Sequence, residues 1–393
     1  MGSSSELRIG VIGVGGRGDL ARCAHRPGEG VRVIAGADPN ARAFDRLREY
    51  AGPDVATYDD YRPLLARPDI NAVFITSPDF VHEEQALAAL EAGKAVYLEK
   101  PMAITIEGCD RILRAAYERK GKLYLGHNMR HFAFVRRMKD LIDAGAIGQV
   151  KTAWCRHFVA YGGDAYFKDW HADRRYSASL LLQKGAHDID VLHWLCGGYT
   201  RRVTAMGNLS VYNQVADRHG HEGRGNHDYR TDHWPPLSQT GLNPIIDVED
   251  LSMMLMELDN GVLASYQQCH YTPDAWRNYT IIGTEGRIEN FGDLGGQVVI
   301  RVWNRRTEYN AEGDQQHLVS PAPGHHGGGD AAIVDEFIRF IRDGAKCTTC
   351  PIAARQSVAA GYMAAWSLRH GSAPVEIPPV DPEVAAWIKT MVA

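Results

Sequence analysis

The chain has 393 residues, 45% of them hydrophobic, enough to bury the cores of two domains at the usual size of roughly 100 to 200 residues each. Its 43 basic and 48 acidic residues are interspersed and leave a formal net charge of -5, which gives no electrostatic case for nucleic acid or membrane partners and points to a small-molecule ligand. Seven cysteines, an odd number, with no cleavable apolar leader and no transmembrane run, predict reduced thiols and a cytoplasmic setting.

Residues 1–5 read as a flexible leader. Short β-branched runs then alternate with helical patterns: strands at 7–12, 31–37, 72–76, 95–98 and 122–125, with helices at 41–50, 83–92 and 106–119. That alternation predicts an α/β, doubly wound Rossmann domain over residues 1–126. The first strand runs into Gly13-Val14-Gly15-Gly16-Arg17-Gly18, and residues 19–23 can open a helix. A pyrophosphate needs backbone N–H groups in a tight turn at a helix start, which glycines at 13, 15 and 18 permit, with Gly16 and Arg17 in the same turn. Twenty residues past Gly18, Asp38 ends the second strand. Its carboxylate can accept from both ribose hydroxyls and would repel a 2′-phosphate, so the cofactor expected is NAD. Thr76-Ser77-Pro78, followed by His82, ends the third long strand where ligands bind in such sheets, and Glu99-Lys100-Pro101 places an amine at another strand end.

The pattern changes at Gly126, so a second domain is expected over residues 127–393. It opens on Gly126-His127-Asn128-Met129-Arg130-His131, a polar segment in which Asn128 and Arg130 are candidates for substrate contact. A helix at 134–144 ends at Gly145, and strand candidates follow at 150–159, 202–210, 251–258, 262–270, 279–283 and 298–304. Because helices do not separate these runs at each step, an α+β domain with a large, mostly antiparallel sheet is expected. Asp259-Asn260-Gly261 marks a tight hairpin. Trp170-His171-Ala172-Asp173-Arg174-Arg175-Tyr176 combines stacking surface with cations, as carbohydrate sites do. One helix from Gln183 to about Leu195 would place Gln183, Lys184, His187 and Asp190 near one another. Residues 211–241 form a long insertion with His219, His221, His227 and His233, whose spacing matches no metal site, so no metal is expected. Cys347 and Cys350 have redox-motif spacing without the βαβ context that would support it.

In order, Gly13 to Gly18, Asp38, Thr76 to Pro78 with His82, Glu99-Lys100-Pro101, Gly185-Ala186-His187-Asp188-Ile189-Asp190 and Ile282-Gly283-Thr284-Glu285-Gly286-Arg287-Ile288 resemble the Gfo/Idh/MocA oxidoreductases, a family that includes glucose-fructose oxidoreductase and inositol dehydrogenase. The resemblance covers almost the whole chain. It implies a Rossmann domain, a second domain whose open sheet packs on another subunit in a homodimer or homotetramer, and a nicotinamide lying between Lys100 and His187. Many relatives carry an aspartate four residues before the histidine, where this chain has Gln183, which can orient a hydroxyl but cannot take a proton. Asp190 is the candidate replacement.

Oxidising a secondary alcohol requires a side chain that removes the hydroxyl proton as hydride leaves carbon, and histidine titrates in the useful range without perturbation. His187 is therefore read as the acid/base and Lys100 as the group that polarises and orients the reacting oxygen, with the two roles exchangeable. The activity expected is NAD-dependent oxidation of a sugar, glycoside or cyclitol. A carboxylated or sulfonated sugar would suit a pocket where Lys184 meets Arg130, Arg174 or Arg175. The alternative is an NAD-dependent glycoside hydrolase, sulfoquinovosidase-like, that works by transient C3 oxidation, elimination, water addition and re-reduction. It would need a further base and proton donor, for which Tyr161, Tyr166, His171 and Tyr176 are nearby in sequence.

Overall fold

The computed structural model describes residues 6–219, 233–294 and 296–392. The chain divides into two compact units. One is Met1–Asn128 with Asp330–Arg355 and Pro379–Ala393, and the other is Met129–Gly329 with Gln356–Pro378. The break after residue 128 lies close to the expected 126/127 boundary, but the second domain is not the continuous stretch 127–393. Two late segments return to the first unit. The physical reason lies in the helix Gly329–Arg342, whose apolar side chains Ile333, Val334, Phe337, Ile338 and Phe340 join the same core as Val11, Phe74, Tyr97 and Tyr124. Phe337 stands edge-on to both Phe74 and Tyr97, with ring centroids 5.2 and 5.4 Å apart.

In the first unit, β1 (Leu7–Ile12), β2 (Val31–Ala37), β3 (Ala56–Tyr58), β4 (Ala72–Ile75), β5 (Ala95–Leu98) and β6 (Leu123–Leu125) form a sheet in the order β3-β2-β1-β4-β5-β6. Every pairing is parallel, and most strand residues are buried, as expected where both faces are covered. The order reverses between β1 and β4, so ligands are expected outside the carboxyl ends of those strands. The helices Phe44–Ala51, His82–Glu91 and Ile106–Arg119 lie close to the predicted spans, and Thr105 caps the last by accepting from the Gly108 N–H at 3.0 Å. The segment after the glycine turn differs: Gly16–Ala24 is a 3₁₀ helix. The strand β3, with three residues, was too short to register as a period in the sequence.

In the second unit, β7 (Val150–Phe158), β8 (Thr200–Asn208), β9 (Leu251–Leu258), β10 (Leu263–Cys269), β11 (Trp276–Gly283), β12 (Arg287–Phe291), β13 (Val298–Trp303), β14 (Gln315–Val319) and β15 (Val375–Glu376) form one sheet in the order β14-β13-β12-β11-β7-β10-β9-β8-β15. Only the β7–β10 pair is parallel among these described strands. The β9–β10 hairpin turns at Asp259-Asn260-Gly261, and of these three only Gly261 takes a positive φ, 82°. Side chains alternate across the sheet. Met254, Met256, Ala264 and Tyr266 face the buried side, while Met206, Met253, Leu255 and Leu263 face outward and are exposed. The helix Gly185–Cys196 packs against the buried side, with contacts to β7 and β10.

The described ends of the insertion are tied down by carboxylates. Asp250 accepts from the backbone N–H groups of Ser210, Val211 and Tyr212, and Asp164 accepts from His233 and Gln239. His219 pairs with Asp217, while His221 and His227 lie outside the described residues. Among the described residues no group of three or more His, Cys, Asp or Glu side chains is arranged to hold a metal ion, and no helix is long and apolar enough to cross a membrane. Cys347 and Cys350 are buried beside the helix Pro351–Arg369.

Candidate functional site

In the first unit the positions singled out for the cofactor converge on the carboxyl ends of β1, β2, β4 and β5. Gly13 follows β1 with φ 84°. A Cβ there would lie 2.5 Å from the Ser77 nitrogen, and one on Gly18 would lie 2.3 Å from the Gly13 carbonyl oxygen, so only glycine lets the turn close this tightly. Thr76 pins the turn from the β4 side, donating its hydroxyl to the Gly13 carbonyl at 2.8 Å. Asp38 at the end of β2 accepts from the Gly15 N–H at 3.2 Å and from the Asn40 N–H at 2.8 Å. Gly15 precedes the 3₁₀ turn, and Gly16 has φ 49° with open space around its Cα. A glycine cradle at a helical N-terminus with an acidic group on its rim fits a dinucleotide with free ribose hydroxyls.

Three of the named residues have other partners than those expected. Arg17 donates through Nε to Glu99 at 2.7 Å and through both terminal nitrogens to Asp330 at 2.7 and 3.0 Å. Burial works against its charge, but Glu99 and Asp330 outweigh it and hold the guanidinium protonated. Arg17 is thus a clamp inside the protein rather than a free hand for phosphate. The second is His82, 1% exposed, with Nδ1 2.7 Å from the Pro101 carbonyl and Nε2 2.9 Å from the Ser77 carbonyl. It is a strut between the Ser77-Pro78 and Lys100-Pro101 turns, and burial pulls its pKa below the ordinary value. Lys100 is half-buried, and its backbone N–H donates to the Glu99 carboxylate at 3.0 Å. Asn128, expected on substrate, donates its amide to Asp330 at 2.9 Å.

In the second unit the expected single helix is two segments, Leu180–Gln183 and Gly185–Cys196, which meet at Lys184. His187 is half-buried in the first turn of the second segment, and Gln183 is buried at the end of the first. Asp188 next to His187 anchors the helix. Its carboxylate accepts from the hydroxyls of Tyr266 at 3.1 Å and Tyr279 at 2.5 Å, and has His157 Nδ1 and Arg277 Nε each at 3.0 Å. Burial alone would raise its pKa, but Arg277 and His157 hold it far below the usual carboxylate range. The sequence reading missed Arg277, Tyr266 and His157. The signal was period-two alternation, which puts Arg277 and Tyr279 on the same inward face once β11 is started at Trp276.

The remaining candidates are engaged among themselves. Asp190 and Arg130 form a two-point ion pair, 2.7 Å at each contact, with both side chains buried. Both carboxylate oxygens of Asp190 are thus engaged by Arg130, a partner that the spacing along its helix did not show. Arg174 pairs with Asp247 at 2.8 Å and Arg175 with Asp173, both at the surface. Trp170 stacks on His171 with ring centroids 3.7 Å apart, and His171 Nδ1 lies 2.6 Å from Asp169. Lys184 is buried over the rings of Tyr161 and Tyr166.

Residues 7–127 match the "Oxidoreductase family, NAD-binding Rossmann fold", and residues 135–289 match the Gfo/Idh/MocA C-terminal domain. A Bacillus subtilis (strain 168) protein named as an oxidoreductase, YteT, is 27% identical over 312 residues, 70% of this chain and 72% of that protein. The inositol 2-dehydrogenase of Burkholderia multivorans is 37% identical over 194 residues, 49% of this chain and 55% of that enzyme, so the match spans about half its length. A solved levoglucosan dehydrogenase, in complex with NADH and levoglucosan, shares the fold with a TM-score of 0.76 at 21% identity, over 95% of this chain and 100% of that one. The chain belongs to the Gfo/Idh/MocA family of oxidoreductases, and its first unit is an NAD-binding Rossmann domain.

His157 supplies a pH test of the anchor beneath His187. Burial first, and then the Arg277 charge, lower its pKa from 6.5 to about 3 against the pull of Asp188. The folded state therefore excludes a proton that the unfolded chain binds, and stability is lost as pH falls from about 6.5 toward about 3, by ~1.4 kcal/mol per pH unit for one proton. Urea unfolding across that window should show this slope, and His157→Gln should flatten it by close to one proton. An unchanged slope would mean that His157 ionises inside the fold.

Proposed function

We propose that the chain is an NAD-dependent dehydrogenase that oxidises a secondary hydroxyl of a sugar, glycoside or cyclitol to a ketone. The observation that carries this reading is the carboxyl edge of the first sheet, where the glycine turn, Asp38 and the Glu99-Lys100 strand end are locked into one another by Arg17 and Thr76. The names of two similar proteins, an inositol 2-dehydrogenase and a levoglucosan dehydrogenase, support a polyol or sugar substrate. Bound NAD supplies the hydride acceptor.

The protein's own residues supply the rest. Gly13, Gly15, Gly16 and Gly18 cradle the pyrophosphate, Asp38 takes the ribose hydroxyls, and Thr76 and Pro78 border the same edge. Lys100 holds and polarises the reacting oxygen, His187 removes its proton, and Gln183 orients the hydroxyl. We read the substrate as neutral. The acidic sugar considered from sequence drew on Arg130, Arg174 and Arg175, and each of these is paired with a carboxylate.

The test is to incubate the protein with NAD and either inositol or an aryl glycoside while following NADH and released phenol. NADH without phenol is the expected result, whereas phenol without net NADH would establish the hydrolase instead. Lys100→Ala should lower kcat by about 10² or more with NAD affinity little changed, and near-normal turnover would remove Lys100 from the chemistry.

The outward sheet face is the surface proposed to receive a second copy of the chain. Met206 on β8, Met253 and Leu255 on β9, Leu263 on β10 and Leu318 on β14 are 47 to 69% exposed, more apolar surface on one sheet than solvent favours. Light scattering should report a dimer or tetramer that Leu255→Glu with Leu263→Glu converts to monomer; a monomeric wild type would rule this out.

A further inference from the structure

The junction between the two helical segments of the second unit buries an amine. Lys184 is 8% exposed, its Nζ lies 5.6 and 5.4 Å from the ring centroids of Tyr161 and Tyr166, and it donates to the Tyr161 hydroxyl at 3.4 Å. An ammonium has three N–H donors, and among the described residues this is the hydrogen bond Lys184 makes. The titratable and charged groups facing it come from several elements: Arg277 on β11, His157 on β7, His270 just after β10, Asp293 just after β12, and Asp188 on its own helix. His270 is fully buried and edge-on to Tyr166 at 5.3 Å, with both ring nitrogens lacking a partner among the described residues.

Backbone geometry relates this amine to His187. Lys184 has φ -90° and ψ -41°, so it continues the right-handed helix into Gly185–Cys196. Residues three apart on a helix are neighbours, with Cβ atoms about 5 to 6 Å apart, and His187 stands three residues on. Beside Lys184 is Gln183, whose amide cannot exchange a proton, at the position where the family resemblance implies a carboxylate. Tyr161, whose hydroxyl accepts from the amine, is half-buried and so partly accessible to water.

We propose that Lys184 is the proton acceptor behind His187, replacing the missing carboxylate, and that the Tyr161 hydroxyl passes the proton on to water. The proposal rests on the dehydrogenase reading. The proton begins on the substrate hydroxyl, moves to the His187 imidazole, and then converts Lys184 from amine to ammonium. Release through Tyr161 restores the amine, and no electrons move in the relay. Lys184 suits this task because burial, with the charge of Arg277 added, lowers its pKa from 10.5 to about 7 against the pull of Asp188 and Asp293, so amine and ammonium interconvert near neutral pH.

Two readouts test the relay. In protein labelled with ¹³C-lysine and without added cofactor, one ε-methylene resonance should titrate near pH 7 and be absent from Lys184→Met; if every lysine titrates above about 9.5, the proposal fails. With NAD and an oxidised polyol, wild-type kcat should rise with pH through about 7. Lys184→Met and Lys184→Arg should both lose the part of that rise that Lys184 contributes, leaving only the one due to His187, and fall by about 10- to 100-fold at neutral pH, with recovery of Lys184→Met in a small-amine buffer. Wild-type kcat and pH profile in Lys184→Arg would show that only a positive charge is needed and would overturn the relay. A wild type that oxidises no secondary alcohol would sink the dehydrogenase reading, and the resonance titration would still judge the amine.

Discussion

Arg17 is the interaction on which the first unit depends. One guanidinium joins the glycine turn after β1, the strand end that carries Lys100 and the first turn of a helix more than 300 residues later, through Glu99 at 2.7 Å and Asp330 at 2.7 and 3.0 Å. Glu99 and Asp330 are both nearly buried, so two carboxylates have been taken out of water at substantial cost. That cost is tolerable only while the arginine, the Lys100 N–H and the Asn128 amide face them. The geometry of the turn that would receive a pyrophosphate and the geometry of the lysine are therefore not independent. A shift in either leaves a buried carboxylate without its partner.

The second unit uses the same device around Asp188. Its carboxylate gathers two tyrosines, a neutral histidine and an arginine from β7, β10 and β11 at the foot of one helix. The backbone that carries Asp188 also carries His187, so fixing one fixes the other. The Arg277 charge that holds Asp188 ionised also lowers the pKa of the nearby Lys184, which links the scaffold to proton chemistry.

Much of this was legible in the sequence because it is local. Strand periodicity marked β1, β2, β4 and β5, the glycines at 13 and 18 marked a turn that no side chain could enter, and Asp38 stood at the end of β2. What was not legible depends on pairing between distant parts of the chain. Spacing within the glycine motif could not show that Arg17 is held by Asp330. The helix of Asp190 gave no hint that Arg130 occupies its carboxylate. The helix Gly329–Arg342 was not read from the sequence at all, and the core it joins is built from strands more than 200 residues earlier. Arg277 was lost because the strand was started three residues late, at Tyr279, which hid the alternation that turns it inward.

The central claim is that Arg17 and Glu99 act as one element in shaping the nucleotide site. A double-mutant cycle measures this directly, with NADH affinity and urea stability determined for the wild type, Arg17→Met, Glu99→Gln and the double variant. The expected result is strong coupling, at least about 1.5 kcal/mol, because removing Arg17 leaves the buried Glu99 carboxylate without its cation, a cost that vanishes once Glu99 is also neutral. Effects that add to within about 0.5 kcal/mol would contradict it, since additivity is the mark of independent sites.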